Sequence, residues 1–223
     1  MKDLSVTQEY LLLALNKGGK LSIWRSGVQT SFIVAALLEL LSNGDIKITG
    51  KKKKVEVAKE LNEEFNYLLP IYNYIKDSKS KTLKVIASDY IFAFTSKKIN
   101  KLIMAVGNSL VDHNCATKKV KKSLFGKRIE LFYSNISDVD HIIQKLRAEF
   151  LEEGTLMDET IILTSLLNKT SLLKKYFSKY ESSQFKERLK EIKASPTHKM
   201  IKEILDYIDG LYTAMIVAST SNI

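Results

Sequence analysis

Apolar residues recur along this chain at the spacing of amphipathic helices, and one segment is apolar on almost every side. A leucine-rich run over residues 11–15 predicts a first helix, which Ser5 or Thr7 can cap. A second helix over residues 30–41 is apolar on most of its faces. Because a helix that is hydrophobic all round must be covered on all sides, we expect it at the centre of the protein.

Two further segments alternate in the manner of β-strands around basic turns. Residues 45–49 and 55–57 predict an antiparallel hairpin that turns at Gly50 and Lys51–Lys54. Residues 116–135 predict a longer hairpin, and residues 20–24 a short extended segment. Further helical patterns cover residues 69–77, 82–94, 96–113, 137–151, 158–167, 172–180, 185–192 and 197–218. The predicted class is therefore mainly α, a single globular helical domain with two short β-hairpins.

The two predicted hairpins have the same surroundings in the sequence. Each follows an apolar helix that ends in a left-handed stop, at Gly44 in the first and at Asn114 in the second. Each hairpin then turns through a basic segment. This likeness is weak evidence for duplication, but it indicates that both basic turns project from hairpins anchored to a helix.

The second hairpin combines an apolar tip with a basic rim. The tip is Leu124-Phe125-Gly126, and Glu130 is the only acidic residue nearby. The rim consists of six basic residues: Lys118, Lys119, Lys121, Lys122, Lys127 and Arg128. Six positive charges against one negative leave +5, half of the chain's formal net charge of +10. This combination predicts a membrane hairpin that contacts anionic phospholipid. The alternative is an ordinary hairpin whose Leu124 and Phe125 pack onto the protein.

Composition and charge restrict the classes of protein to consider. The 223 residues include only two prolines and nine glycines, which predicts one domain over residues 1–223. The single Cys115 excludes an internal disulfide, and the chain has neither a signal-peptide pattern nor an apolar run of about 18 residues. We therefore expect a cytoplasmic protein. A pI near 9.4 leaves two partner classes, nucleic acid and the anionic face of a membrane.

The titratable residues form no pattern typical of catalysis. His113, His141 and His198 lie far apart, and no metal-binding or nucleotide-binding motif occurs in the sequence. His113 is close to Cys115, but a cap and a small buried residue explain this pair without chemistry. We therefore predict no catalytic residues, no metal site and no cofactor.

Nucleic-acid binding is the second interpretation of the basic charge. Residues 30–57 resemble a winged helix, with Lys51–Lys54 at the tip of the wing. A recognition helix must present polar and basic side chains to base edges, whereas residues 32–41 are nearly all apolar. Only the wing could then touch phosphate. Nonspecific binding to DNA or RNA is therefore the alternative to lipid binding.

Several segments in order resemble one known family. The opening L-S-V-T-Q-E-Y-L-L-L-A-L-N-K-G-G-K-L-S-I-W is followed by A-A-L-L-E-L-L-S-N-G-D-I-K-I, by L-V-D-H-N-C-A before the second hairpin, and by D-E-T-I-I-L-T-S-L-L-N-K-T-S-L-L-K-K-Y-F. Their order and spacing over residues 4–219 resemble the Golgi phosphoprotein 3 family. The resemblance implies a mostly helical fold with no established catalysis and a hairpin whose apolar tip enters membranes.

The resemblance also implies partners and a site. Eukaryotic members of that family bind phosphatidylinositol 4-phosphate and act as adaptors that retain glycosyltransferases in the Golgi. The implied partners are anionic membrane lipids and cytosolic tails of membrane proteins. The implied location is the membrane surface, with the protein peripherally membrane-associated in the cytoplasm. The resemblance leaves both a monomer and a homo-oligomer open. By position, Trp24 falls on the family's Trp beside the phosphate site, and Leu124-Phe125 falls at the hairpin tip.

The phosphate site departs from the family pattern. The positions of the family's arginines hold Ile33, Asn100, Ile103 and Ala105 in this chain. Three lysines on the helix that contains Asn100, Ile103 and Ala105 can replace the charge: Lys97, Lys98 and Lys101. A lysine is a point charge without the planar fork of arginine, so we expect general attraction to anionic lipid with little headgroup preference. The chain also lacks the N-terminal tail of eukaryotic members, and in this it resembles the bacterial branch.

Overall fold

Helices dominate a computed structural model of the chain, which describes residues 3–21, 26–78, 81–91, 93, 95–122, 128–152, 156–195 and 199–220. In these ranges the chain forms ten α-helices and two antiparallel pairs of strands. This confirms the predicted class, mainly α with two hairpins. The chain divides into two units, Met1–Ile136 and Ser137–Ile223. The expected single domain over residues 1–223 is not tested by this division and stays a prediction.

The described part of the first unit contains five helices and both hairpins. The helices are α1 (Val6–Ala14), α2 (Ser26–Ser42), α3 (Leu69–Asp77), α4 (Leu83–Ile91) and α5 (Lys97–Asp112). The strands are β1 (Ile46–Thr49), β2 (Lys54–Val57), β3 (Ala116–Lys122) and β4 (Arg128–Ser134). Helix α3 has the predicted bounds, whereas the 3-10 segment Glu63–Leu68 before it was not predicted. Of the predicted extended segment 20–24, residues 22–24 lie outside the described residues.

Helix α2 forms the centre of this unit, as its all-round apolar pattern predicts. Every side chain from Thr30 to Leu40 is buried. Helix α1 packs along it and carries the predicted cap: Ser5 Oγ accepts from the Gln8 N–H, and the Gln8 side chain accepts from the Ser5 N–H. Helix α2 begins at Ser26, before the predicted start at residue 30, because buried Val28 continues its apolar face.

One buried carboxylate joins three parts of the first unit. Glu39 of α2 accepts a hydrogen bond from the Thr7 N–H of α1 at 3.1 Å and another from the Tyr67 hydroxyl of the 3-10 segment. Burial, together with the charge of Glu39, raises the pKa of Tyr67 far above its ordinary value. The phenol therefore keeps its proton and remains the donor to Glu39.

The two hairpins are anchored by corresponding backbone hydrogen bonds, so the likeness between the two segments in the sequence has a structural counterpart. The stop residues have left-handed backbones, with φ of 71° at Gly44 and 58° at Asn114. The bonds in the first hairpin are Asp45 N–H to Leu40 O, Ala58 N–H to Asp45 O, and Val55 N–H to Lys81 O. The corresponding bonds in the second are Cys115 N–H to Leu110 O, Asn135 N–H to Cys115 O, and Phe132 N–H to Gly19 O. The two helix–hairpin segments are therefore equivalent in their anchoring.

The remaining helices run from the end of the first unit through the second. They are α6 (Ile136–Leu151), α7 (Asp158–Lys169), α8 (Leu173–Tyr176), α9 (Lys179–Ala194) and α10 (Lys199–Thr220). The predicted helices 172–180 and 185–192 are wrong in their bounds, because helix α8 ends at Tyr176 and α9 is continuous through residues 181–184. The cause is a capping box in which Ser178 and Glu181 exchange side-chain to backbone bonds of 3.2 and 2.7 Å.

Glu181 makes a pH-dependent contribution to the stability of the second unit. Its carboxylate accepts from Arg147 Nε of α6 at 2.7 Å, and this bond, with those from Ser178, lowers the pKa of Glu181 from 4.5 to about 2. A pKa lower in the folded state means that the stabilisation is complete above about pH 4.5 and is lost as the pH falls towards 2.

We expect Glu181→Gln to lower the free energy of unfolding by roughly 1–2 kcal/mol at pH 7. The difference from the wild type should shrink between pH 4.5 and pH 2, as urea unfolding at a series of pH values can measure. Glu187→Gln, an exposed position on the same helix, is the matched control and should change little. A difference that stayed constant down to pH 2 would contradict this role of the carboxylate.

Candidate functional site

The base of the second hairpin is packed against the rest of the first unit. Strands β3 and β4 pair from Ala116 opposite Ser134 to Lys122 opposite Arg128. Near the base, Phe132 is buried against Gly107 of α5, where a Cβ would lie 2.7 Å from the ring. Ser134 Oγ donates to the carbonyl of Leu12 at 2.8 Å. These contacts fix the direction in which the hairpin leaves the protein.

The outer part of the hairpin is exposed on both strands. Lys121, Lys122 and Arg128 are exposed, and the structure shows no ion pair for them among the residues it describes. Val120, between them and the base, is 54% exposed although it is apolar. Leu124, Phe125 and Lys127 of the predicted site lie outside the described residues. Val120 was not singled out from the sequence, although its place in the run K-K-V-K-K is a signal for it.

Two lysines of the predicted rim are held by neighbours instead. Lys118 Nζ donates to Asn108 Oδ1 of α5 at 2.9 Å and lies 3.7 Å from Glu130 Oε2. Lys119 Nζ lies 5.2 Å from the centre of the Tyr133 ring. All five described cations of the rim are exposed, but Lys118 and Lys119 have these neighbours, whereas Lys121, Lys122 and Arg128 have no ion pair among the described residues.

The three predicted headgroup lysines stand at the start of α5, and they do not have the same surroundings. Lys97 and Lys101 are exposed. Lys98 Nζ lies 4.2 Å from the centre of the Tyr74 ring, so this lysine connects α5 to α3. Trp24, the fourth predicted residue of that site, lies outside the described residues.

Tyr74 also contacts a second ammonium group. Lys81 Nζ donates to the Tyr74 hydroxyl at 2.7 Å and to Asp89 Oδ2 at 2.6 Å. Hydrogen bonds to Asp89 and Tyr74 raise the pKa of Lys81 above its ordinary value. Burial alone would raise the pKa of Asp89, but the bonds from Lys81 and Tyr74 outweigh it and lower that pKa. The cluster is therefore charged on both sides at neutral pH.

One stripe of α5 connects these lysines to the hairpin. Lys97, Lys101, Met104 and Asn108 recur at intervals of four, three and four residues, which places them on one helix face. The first three are exposed, and Asn108 binds Lys118 of β3. At 1.5 Å per residue, Lys97 stands about 16 Å along the helix from Asn108. Lys97 and Lys101 of one predicted group thus share a helix face with Asn108, which binds Lys118 of the other group.

The positions of the family's arginines offer little to a phosphate. Ile33 is fully buried in α2, and Ile103 and Ala105 are apolar and half-buried in α5. Asn100 is exposed and donates to Ser96 Oγ at 3.2 Å. None of these side chains carries a charge. A headgroup at this end of α5 would therefore meet only the point charges of lysines.

Positive charge is concentrated in one unit of the chain. Residues 1–136 include 23 basic and 12 acidic residues, a net charge of +11. Residues 137–223 include 12 basic and 13 acidic residues, a net charge of −1. The field that attracts an anionic partner therefore originates from the unit that contains both hairpins.

The described ranges contain neither a cluster of metal-binding side chains nor a membrane-spanning helix. No group of three or more His, Cys, Asp or Glu side chains there could hold a metal ion. No helix among those residues combines the length and the apolar character needed to cross a bilayer. Helix α2, the apolar scaffold helix of the winged-helix alternative, has no exposed side chain from Thr30 to Leu40 and cannot present a polar face to base edges.

Comparison with known proteins agrees with the resemblance found in the sequence. No curated protein sequence matches this chain. The family model described as Golgi phosphoprotein 3 (GPP34) matches residues 6–208, which include α1, both hairpins, all of α9 and part of α10. Since the match covers nearly the whole chain, the chain belongs to the Golgi phosphoprotein 3 (GPP34) family.

Proposed function

We propose that this chain is a non-catalytic, peripheral membrane adaptor that binds anionic phospholipid through the outer part of its β3–β4 hairpin. The observation that carries the proposal is the exposed end of the hairpin, where Val120 stands beside Lys121, Lys122 and Arg128. Family membership supports it, because the family consists of non-enzymatic lipid-binding adaptors.

The physical basis is the match between these side chains and a lipid headgroup layer. Each basic residue close to an anionic membrane contributes about 1 kcal/mol at low screening. Exposed apolar side chains next to such cations gain further free energy by leaving water. The net charge of +11 on residues 1–136 attracts the chain to the surface before contact.

The proposal concerns anionic lipid in general and no single headgroup. The family's arginine positions hold Ile33, Asn100, Ile103 and Ala105. Lys97 and Lys101 can attract a phosphate, while Lys98 is engaged with Tyr74. Binding should therefore follow the charge density of the membrane and weaken with salt.

Neutralising the exposed cations of the hairpin tests this function. We expect K121Q/K122Q/R128Q to bind phosphatidylserine-containing vesicles at least tenfold more weakly than the wild type in 0.15 M NaCl, as measured by co-sedimentation. The matched control K174Q/K186Q/K190Q removes three exposed lysines from the second unit and should lose less than threefold. Equal binding to neutral phosphatidylcholine vesicles, or tighter binding to duplex DNA, would refute the proposal.

A further inference from the structure

We infer that the β1–β2 hairpin is a second contact with the same anionic lipid surface, one that acts by charge alone. This inference rests on the proposed function and adds to it a second place where the chain meets the membrane. The turn of this hairpin contains Lys51, Lys52 and Lys53, all exposed. Lys47 and Lys54 on the strands are exposed as well, against the single acidic residue Glu56.

The first support is the structural equivalence of the two hairpins. Each emerges from the end of a helix through a left-handed stop, and the second strand of each bonds along its outer edge to a loop carbonyl. The first hairpin has four cross-strand pairs and the second has seven, so the first is a shorter version of the second. Both carry exposed basic residues at the outer end.

The second support is a series of contacts through lysines that connects the two hairpins. The outer edge of β2 binds Lys81, since the Val55 N–H donates to the Lys81 carbonyl at 2.8 Å. The Lys81 ammonium and Lys98 both contact Tyr74, and Lys98 belongs to the first turn of α5. From there the stripe of α5 with Lys97 and Lys101 leads to Asn108 and Lys118 of the second hairpin. We call this series of contacts the basic band.

A lipid surface suits this band better than a nucleic-acid groove. The band has exposed basic groups at both hairpins and, with Lys97 and Lys101, on the helix between them, and this spread matches a broad anionic surface. Base readout would need an exposed polar helix, and α2 beside the first hairpin is buried. Two contacts on one folded unit also strengthen each other, because the first brings the second to the surface.

The test neutralises the first turn and uses the same control as before. Lys53 has φ of 48°, which asparagine tolerates better than most residues, so the variant is K51Q/K52Q/K53N. We expect it to bind phosphatidylserine-containing vesicles at least tenfold more weakly than the wild type in 0.15 M NaCl, where charges that remain away from the membrane are largely screened. K174Q/K186Q/K190Q, with the same loss of charge, should lose less than threefold.

A second measurement shows directly whether the turn touches the membrane. Amine labelling of the wild type, read by mass spectrometry, should show Lys51–Lys53 protected when vesicles are present, while Lys186 and Lys190 remain reactive. If the wild type binds vesicles but Lys51–Lys53 label as in solution and the variant binds normally, the inference is wrong and the proposed function stands. If the wild type binds no vesicles, both are wrong. If the turn variant binds vesicles normally and loses duplex-DNA binding instead, the inference alone is wrong and the turn is a nucleic-acid contact.

Discussion

Replacement of Leu124 and Phe125 by serine is expected to weaken binding to anionic vesicles by at least tenfold without a large change in thermal stability. Each side chain that enters the membrane interface contributes up to about 1.5–3 kcal/mol, and less if its burial is partial. The double substitution leaves the charge unchanged, so the salt dependence of binding should stay the same. Vesicle co-sedimentation at several salt concentrations and the melting temperature are the measurements.

The control for this double variant removes exposed apolar side chains elsewhere. I136S/M157S changes two such residues outside the hairpin, with exposures of 80% and 59%, and should leave vesicle binding intact. The opposite result for Leu124 and Phe125, a large fall in melting temperature with normal vesicle binding, would mean that both residues pack onto the protein. That result would exclude insertion of the tip.

Gly107→Ala is expected to destabilise the first unit by about 1–3 kcal/mol, although alanine is the better helix former. The new Cβ would lie 2.7 Å from the ring of Phe132, closer than van der Waals contact allows. The ring, and with it the base of β4, must then move. Urea unfolding should show the loss, and the hairpin should bind vesicles less tightly because its anchor has shifted.

A second glycine provides the matched control. Gly210 is exposed in α10, and a Cβ there would meet nothing within 4 Å. Gly210→Ala should therefore raise stability by about 0.5–1 kcal/mol through helix propensity. In the double variant Gly107→Ala with Phe132→Leu, the smaller side chain should restore part of the lost stability. A stabilising effect of Gly107→Ala alone would show that the packing is looser than the structure indicates.

Local signals account for the parts of the fold that the sequence predicted well. The cap at Ser5, the start of α3 around Pro70 and the stops at Gly44 and Asn114 depend on residues within a few positions of one another. Hydrophobic periodicity located the buried helix α2 for the same reason. The start of α9 after Ser178, which the sequence analysis missed, also has a local signal, the capping-box pattern S-x-x-E.

Local signals could not predict which lysines make contacts within the protein. Lys98 faces Tyr74 of α3, and Lys118 binds Asn108 of α5, so both lysines support the structure. Lys121 and Lys122, which look the same in the sequence, remain exposed. Which lysine meets a partner depends on elements that are far apart in the chain and come together only on packing.

The sequence by itself determined the helical class, both hairpins, the excess of positive charge and membership of the family. Its local periodicity, capping residues and composition carry that information without reference to distant contacts. Only the tertiary structure decided that Phe132 packs against Gly107 and that α5 contacts elements of both basic hairpins. It also decided that Lys118 has partners while Lys121, Lys122 and Arg128 have no ion pair among the described residues. These features depend on close packing between distant segments, which no local pattern encodes.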